Sequence, residues 1–270
     1  SSYPRRSQQS PRQGYSPMSF IVIIPARMTS TRLPGKPLKD IAGKPMVVRV
    51  AEQATKSGAD RVVVAADSDA IVQVCSEYGF EAILTDPNHP TGTDRLAETA
   101  GKLKLSDETI VVNVQGDEPL IPPTVIRKVA DLLATDPQST IATAAHPIAD
   151  VQSFFNPNVV KVELDGTGHA MTFSRAPLPW PRDAFAKDKS RLPEDFTAYH
   201  HIGLYAYRAV FLKRFSTLKR APIERFESLE QLRAMWHGYK IAVAVLPENL
   251  PAGVDTQEDL VRVRAVFAQR

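Results

Sequence analysis

The chain contains 270 residues, of which 43% are hydrophobic, and its 33 Lys and Arg residues face 30 Asp and Glu residues. A chain of this length can bury a substantial core in one large domain or two small ones. Residues 1–17 hold three arginines and no acid, so the rest of the chain is balanced in charge and predicts no nucleic-acid surface. No apolar run approaches about 20 residues, which predicts no membrane span, and the single cysteine, Cys75, fits a reducing cytoplasm.

The predicted elements follow a polar, proline-bearing stretch, residues 1–17, which we expect to be a disordered tail. Ile21 to Ile24 are all apolar and Pro25 closes the run, as expected of a strand buried on both faces of a parallel sheet. Strands and helices then alternate, which indicates right-handed parallel crossovers. The predicted strands are 61–66, 80–85, 109–114, 140–145, 201–208 and 241–246, with a hairpin over 159–164 and 169–173; the predicted helices are 45–56, 70–78, 96–104, 122–133, 210–218, 222–237 and one capped by Thr256 and Asp259. Residues 176–193 are proline-rich and charged and predict a flexible excursion.

The loop after the first strand is long and cationic, with Arg27, Arg32 and Lys36 among small hydroxyl residues. Ligands bind at the carboxyl ends of strands in open α/β sheets, so this composition indicates a polyphosphate site. A Walker loop is excluded because Ser30 stands where its first glycine is needed and Pro37 follows the lysine. The dinucleotide fingerprint is also absent, and a solvated basic loop remains the alternative.

Two further strand ends carry candidate ligand groups. Asp117 follows Gly116 just past the strand 109–114, a placement typical of a carboxylate that holds Mg²⁺ beside a phosphate. The alternative is that Asp117 caps the helix predicted near Pro122. In the stretch 91–95, glycine between hydroxyl residues lets a ligand approach backbone amides, although Asp94 and Arg95 could equally be a cap and a surface charge. The histidines show no zinc-type spacing, and the adjacent His200 and His201 would face opposite sides of a strand.

Eight stretches occur in collinear order from about Met18 to the end: IIPARMTSTRLPGKPL, TGTDR, VNVQGDEP, FNPNVVKV, SRAPLPW, HIGLYAYR, LEQLR and GVDTQEDL. Together they resemble the bacterial 3-deoxy-manno-octulosonate cytidylyltransferases, also called CMP-KDO synthetases. The relatives that activate sialic acid are similar near the first loop but lack the pairing of QGDEP with LEQLR. The resemblance implies a nucleotide-diphospho-sugar-transferase-like, Rossmann-like α/β fold with a mixed, mainly parallel sheet flanked by helices, and usually a homodimer. It implies the reaction CTP + KDO → CMP-KDO + diphosphate, with Mg²⁺, for lipopolysaccharide biosynthesis.

The same resemblance implies a role for individual residues and a division of the chain. Residues 18–270 would form one cytidylyltransferase domain, with 18–150 mainly for the nucleotide, 151–250 mainly for the sugar and dimerisation, and 251–270 as a metal-site loop and helix. The expected catalytic residues are Arg27, Lys36, Asp117 and Asp255; the expected nucleotide contacts are Ala26, Arg27, Lys36, Arg95, Gln115 and Asp117, with Arg32 a weaker candidate; Asp117 and Asp255 would bind Mg²⁺. Arg175 would hold the sugar carboxylate, and His201, Tyr207, Glu230 and Gln231 would contact sugar hydroxyls.

Other interpretations stay open at this point. Tyr207 on an alternating strand fits a core residue, and Glu230 fits a solvated helix face. The enzyme could use another nucleotide or a related acid sugar, such as an 8-amino KDO analogue or sialic acid. A non-catalytic sugar-nucleotide binder is a third hypothesis, although a binder would not need both Asp117 and Asp255 as metal carboxylates.

Overall fold

The computed structural model describes residues 18–270, so the predicted disorder of residues 1–17 lies outside the described residues. The strands are β1 Ile21–Ala26, β2 Asp40–Ile41, β3 Lys44–Pro45, β4 Arg61–Ala66, β5 Glu81–Leu84, β6 Ile110–Asn113, β7 Ser139–Pro147, β8 Lys161–Leu164, β9 Ala170–Ser174, β10 Tyr199–Arg208 and β11 Lys240–Val245. The helices are α1 Met46–Lys56, α2 Asp69–Glu77, α3 Gly92–Lys102, α4 Pro123–Thr135, α5 Val151–Phe155, α6 Arg182–Lys187, α7 Ala209–Phe215, α8 Pro222–Glu227, α9 Gln231–Trp236 and α10 Gln257–Ala268, with a 3₁₀ turn at Lys36–Leu38.

One mixed sheet organises the fold, with the strand order β11-β7-β10-β6-β1-β4-β5. Strands β6, β1, β4 and β5 pair in parallel, and β10 is inserted antiparallel between β6 and β7. Strand β11 is parallel to β7, and the hairpin of β8 and β9 joins β10 through β8. This arrangement confirms the expected mixed, mainly parallel sheet flanked by helices.

Both faces of the sheet are covered, which is why β1 reads as a continuous apolar run. Val22 and Ile24 point to one hydrophobic cluster, which includes side chains of α1 and α4. Ile21 and Ile23 point to the other cluster, which includes side chains of α3 and α7. The predicted hairpin is confirmed, and the capping box of α10 is present, with mutual hydrogen bonds between Thr256 and Asp259. Within residues 18–270, no helix is long and apolar enough to cross a membrane.

The prediction of one helix over 222–237 is wrong. Helices α8 and α9 are separated at Ser228, whose φ of 52° lies in the left-handed region and ends α8. The two short helices stay together because Arg233 of α9 donates from Nε and Nη2 to the carboxylate of Glu224 in α8, and both side chains are buried. Because of this break, Glu230 is the N-cap residue of α9 and does not lie in the middle of one long helix.

The prediction of a flexible excursion over 176–193 is also wrong where α6 forms. Phe185 of α6 is buried against the rings of Phe154 and Phe155, with ring centroids 6.0 Å apart for Phe185 and Phe154. These partners come from distant parts of the chain, so local composition carried no sign of them. Helix α3 begins at Gly92, four residues before the predicted start, because the Thr91 hydroxyl accepts a hydrogen bond from the backbone N–H of Asp94.

Candidate active site

A cavity of about 940 Å³ opens at the carboxyl ends of β1 and β6. Its wall is built from the loop after β1, the start of α3, the turn after β6, two tyrosines of β10 and the segment that precedes α10. Nine of the residues expected to act in the site line this cavity, as does Arg32: Ala26, Arg27, Lys36, Arg95, Gln115, Asp117, Tyr207, Glu230 and Asp255. The fold therefore brings together groups that are as much as 229 residues apart in the chain, from Ala26 to Asp255.

Lys36 links the two carboxylates at one end of the cavity. Its Nζ donates to Asp117 Oδ2 at 3.1 Å and to Asp255 Oδ1 at 3.3 Å. A third hydrogen bond from Nζ reaches the carbonyl oxygen of Val254 at 3.0 Å. The loop that delivers this lysine closes through the N–H of Gly35, which donates to the carbonyl of Met28 at 3.0 Å, with Gly35 at a φ of 68° that favours glycine.

Glycine brings the turn after β6 close to the end of β1. A Cβ added to Gly116 would lie 2.7 Å from the carbonyl oxygen of Pro25, which leaves no room for another side chain. On the other side of the turn, the N–H of Val254 donates to the carbonyl of Asp117 at 2.8 Å. Backbone contacts, and not only side chains, therefore hold the three segments that carry Arg27, Asp117 and Asp255. Asp117 lies six residues before α4 begins, so the alternative that it caps this helix is wrong.

Two of the acidic groups here hold their protons more tightly than usual. Burial raises the pKa of Asp117, and the neighbouring Lys36 opposes that rise. Burial also raises the pKa of Glu118 to about 8, and the charges of Asp117 and Asp255 add to the effect. Glu118 was not assigned a role from the sequence, although the consecutive acidic residues after a buried strand were a visible signal.

This donor set fits Mg²⁺. Within residues 18–270, no three His, Cys, Asp or Glu side chains are arranged to hold a metal ion by themselves. Magnesium needs only one or two carboxylates when substrate phosphates and waters complete its shell. Asp117 and Asp255 already share one cation, Lys36, and the raised pKa values of Asp117 and Glu118 mark a place where an added positive charge would be stabilising.

Arg95 points inward from α3 and is 2% exposed, so the interpretation as a surface charge is wrong. Its Nη2 donates to the carbonyl of Asp86 at 3.1 Å, while its buried Nε has no hydrogen-bond partner in the described part of the chain. Burial lowers the pKa of this guanidinium. Asp94, by contrast, belongs to the cap of α3, where it accepts from the Thr91 hydroxyl at 2.6 Å.

The deeper part of the cavity is polar although it lies against the core. Tyr207 is 5% exposed and packs in the core, and it also lines the cavity, so its contact to the sugar stays a prediction. Glu230 is not on a solvated face, since burial raises its pKa and its Oε1 is a buried atom that has no hydrogen-bond partner among residues 18–270. Asn113 and Tyr205 were missed, and for Asn113 the signal was a polar residue near the end of an apolar strand.

Three predicted sugar contacts do not line the cavity. The Arg175 guanidinium donates to the carbonyls of Glu227 at 2.6 Å and Pro157 at 3.0 Å, so it fastens the β8–β9 hairpin region to the break between α8 and α9. His201 is a buried residue of β10, and Gln231 is buried at the start of α9. The resemblance could not reveal these placements, because they depend on which distant parts of the chain the fold brings beside each side chain.

Comparisons with known proteins find cytidylyltransferases. A family model described as cytidylyltransferase matches residues 21–241. The chain is similar to the structure of a CMP:2-keto-3-deoxy-manno-octonic acid synthetase in complex with CTP, with 39% identity, a TM-score of 0.85, and coverage of 93% of this chain and 99% of that chain. A cytidylyltransferase from Leptospira borgpetersenii serovar Hardjo-bovis (strain JB197) is 17% identical, with a TM-score of 0.59 and coverage of 94% of this chain and 88% of that chain, a likeness that concerns the fold alone.

Proposed function

The chain belongs to the cytidylyltransferase family, and from that membership we propose that it transfers the cytidylyl group of CTP to the acid sugar KDO. The anomeric hydroxyl oxygen of the sugar would attack the α-phosphorus of CTP and lose its proton. The bond from that phosphorus to the bridging oxygen would break, and diphosphate would leave. The product, CMP-KDO, would serve lipopolysaccharide biosynthesis in the cytoplasm.

One observation carries this proposal: the Lys36 ammonium lies between Asp117 and Asp255 in a cavity that also holds Arg27 and Arg95. Phosphoryl and nucleotidyl transfer require little covalent chemistry from the protein. They require in-line placement of the attacking oxygen and cations against the charge that develops on the phosphates. Lys36 and Arg27 would supply those cations, because both face the cavity from the loop after β1.

We propose Mg²⁺ as the cofactor, held by Asp117 and Asp255. When bound, the ion would offset phosphate charge and lower the pKa of the attacking hydroxyl. Lys36 Nζ lies at the cavity wall and makes three hydrogen bonds, two of them to these carboxylates. When CTP binds, a phosphate oxygen would replace one carboxylate as a partner of Lys36. In this arrangement the carboxylates keep the ammonium in place until the triphosphate arrives.

The remaining lining residues divide between the two substrates. The backbone of Ala26 and the side chains of Gln115 and Arg95 are proposed as nucleotide contacts. Tyr207 and Glu230 are proposed as contacts to sugar hydroxyls, because they line the deeper, polar part of the cavity. Arg175, His201 and Gln231 lie outside the lining, and we propose that they support the sugar side of the site from behind.

Release of diphosphate by the full chain tests the reaction. We expect release with CTP and KDO, little with UTP or ATP, and loss of activity when EDTA removes the divalent ion. Faster release with an 8-amino KDO analogue or with sialic acid would assign a different acid sugar. Binding of CTP without diphosphate release from any acid sugar would contradict catalysis and leave a sugar-nucleotide binder.

The carboxylate role is tested by Asp117→Asn. This change removes a charge and keeps the size of the side chain, so we expect turnover to fall by about 10²-fold or more, while the unfolding midpoint is kept. Asp183→Asn is the matched control, because Asp183 lies outside the cavity with its side chain 94% exposed. Activity of Asp117→Asn close to that of the control would refute the metal role.

We also propose that the chain forms a homodimer. Helices α8 and α9 expose large apolar side chains, with Phe226 89% and Trp236 53% exposed. Exposed apolar groups of this size are typical of interaction surfaces. Light scattering should give twice the chain mass, and Phe226→Glu should shift the population to monomer while Phe226→Leu should not. A monomeric wild-type chain at micromolar concentration would contradict this proposal.

A further inference from the structure

Strand β10 carries a bulge in the middle of the sheet. Ile202 pairs with Ala144 of β7, and the next pair along the ladder is Tyr205 with Thr143. A regular antiparallel ladder would place Gly203 opposite Thr143, so β10 contains two additional residues at this point.

The bulge changes which side chains reach the cavity. Without it, Tyr205 would lie opposite Ile141, a fully buried core position of β7. The two additional residues move Tyr205 and Tyr207 toward the carboxyl end of β6 by about 7 Å, at roughly 3.4 Å per residue. In the resulting register Tyr205 lies opposite Asn113, the last residue of β6, and both tyrosines line the cavity.

One buried hydroxyl is bonded to both carbonyls of the bulge. The Oγ1 of Thr143 lies 2.7 Å from the carbonyl oxygen of Leu204 and 3.1 Å from that of Ile202. The same oxygen lies 2.9 Å from Nε2 of His201. Thr143 is fully buried, so no water can replace these bonds if the hydroxyl is lost.

The direction of each bond follows from the number of protons. A hydroxyl has one hydrogen to donate, and carbonyl oxygens can only accept, so the Thr143 hydrogen is directed at the carbonyls of the bulge. The bond with His201 must then run from Nε2–H to Oγ1, which requires the tautomer with its proton on Nε2. Burial lowers the pKa of His201 to about 3, so the ring is neutral in any neutral buffer.

We infer that Thr143 is a positioning residue that holds the β10 bulge and thereby places Tyr205 and Tyr207 at the acid-sugar side of the cavity. The identity of the ligand rests on the proposed function. The position of the tyrosines does not, because it follows from strand register and hydrogen bonds alone. The two phenol rings stack with centroids 5.8 Å apart, beside Asn113 and Glu230, and suit a substrate with several hydroxyl groups.

Steady-state kinetics of Thr143→Val and Thr143→Ser test the inference. Valine keeps the shape of the side chain without the hydroxyl, and serine keeps the hydroxyl. We expect Thr143→Val to raise the KM for KDO about tenfold or more and to change the KM for CTP less than about twofold, because a displacement near 1 Å is costly in a binding site. The separate variant Thr143→Ser should keep the KM for KDO within about threefold of the wild-type value. An unchanged KM for KDO, or equal rises for both substrates, would overturn the inference.

A second measurement needs no substrate. In ¹⁵N spectra of the full chain, His201 should show the Nε2-protonated neutral tautomer in the wild type and in Thr143→Ser. Protonation on Nδ1 in the wild type would overturn the inference, and this result decides the matter if Thr143→Val does not fold. Failure of the wild type to release diphosphate from any substrate pair would refute the proposed function only, since the tautomer would still report on the bulge.

Discussion

Replacing Glu118 by glutamine should change how the stability of the fold depends on pH. The folded-state pKa of this carboxyl is raised to about 8 from an ordinary value of 4.5, mainly by burial. Between those two values the unfolded chain has released the proton while the folded chain retains it. Stability therefore falls as pH rises through this range, since the native state binds more protons than the unfolded state. Glutamine keeps the shape of the protonated acid and has no proton to lose.

The magnitude follows from the two pKa values. At about 1.36 kcal/mol per pKa unit, Glu118 alone should reduce the free energy of unfolding by about 2 to 3 kcal/mol between pH 5 and pH 7. Other groups act in the opposite direction. Burial lowers the pKa of His200 to about 4 and that of His201 to about 3. As pH falls below about 6.5, the unfolded chain binds protons at these rings before the folded chain does, so the free energy of unfolding decreases.

The assay is urea denaturation of the wild type and of Glu118→Gln at several pH values, in EDTA so that no divalent ion is bound. Because the histidines titrate in both proteins, the difference between the two curves isolates Glu118. We expect Glu118→Gln to gain about 2 to 3 kcal/mol relative to the wild type between pH 5 and pH 7. Parallel curves over this range would refute the reasoning, because they would mean that Glu118 is ionised in the folded chain.

Two other substitutions test the packing that positions the cavity. Gly116→Ala should destabilise the chain by about 1 to 3 kcal/mol in urea denaturation, since its Cβ would lie 2.7 Å from the carbonyl oxygen of Pro25. Gly101→Ala is its control, because nothing lies within 4 Å of a Cβ at that position, and equal stability of the two variants would contradict the steric argument. Glu224→Gln should lower the free energy of unfolding by about 3 to 5 kcal/mol, because it leaves the buried Arg233 without its counter-charge. A thermal midpoint equal to that of the wild type would show that this ion pair does not hold α8 to α9.

Much of the framework could be predicted because its signals are local. The apolar run of β1 and the alternation of strands and helices determined the parallel core of the sheet. The cationic loop containing Lys36 and the acid after β6, Asp117, were predicted at the correct edge of the sheet, since carboxyl ends of parallel strands meet at one edge. The family resemblance added Asp255, whose convergence on Lys36 could not be derived from strand periodicity.

Tertiary structure alone decided the direction in which several of these side chains point. Arg175 binds carbonyls from two other segments, Arg95 turns into the cavity, and the bulge in β10 brings Tyr205 level with Asn113. The amino-acid sequence determines apolar periodicity, turns and caps, because these depend on neighbours a few residues away. The directions of the side chains that line the cavity depend on backbone groups more than a hundred residues away, such as the Val254 carbonyl that accepts a hydrogen bond from Lys36. These groups come together only after the core has packed.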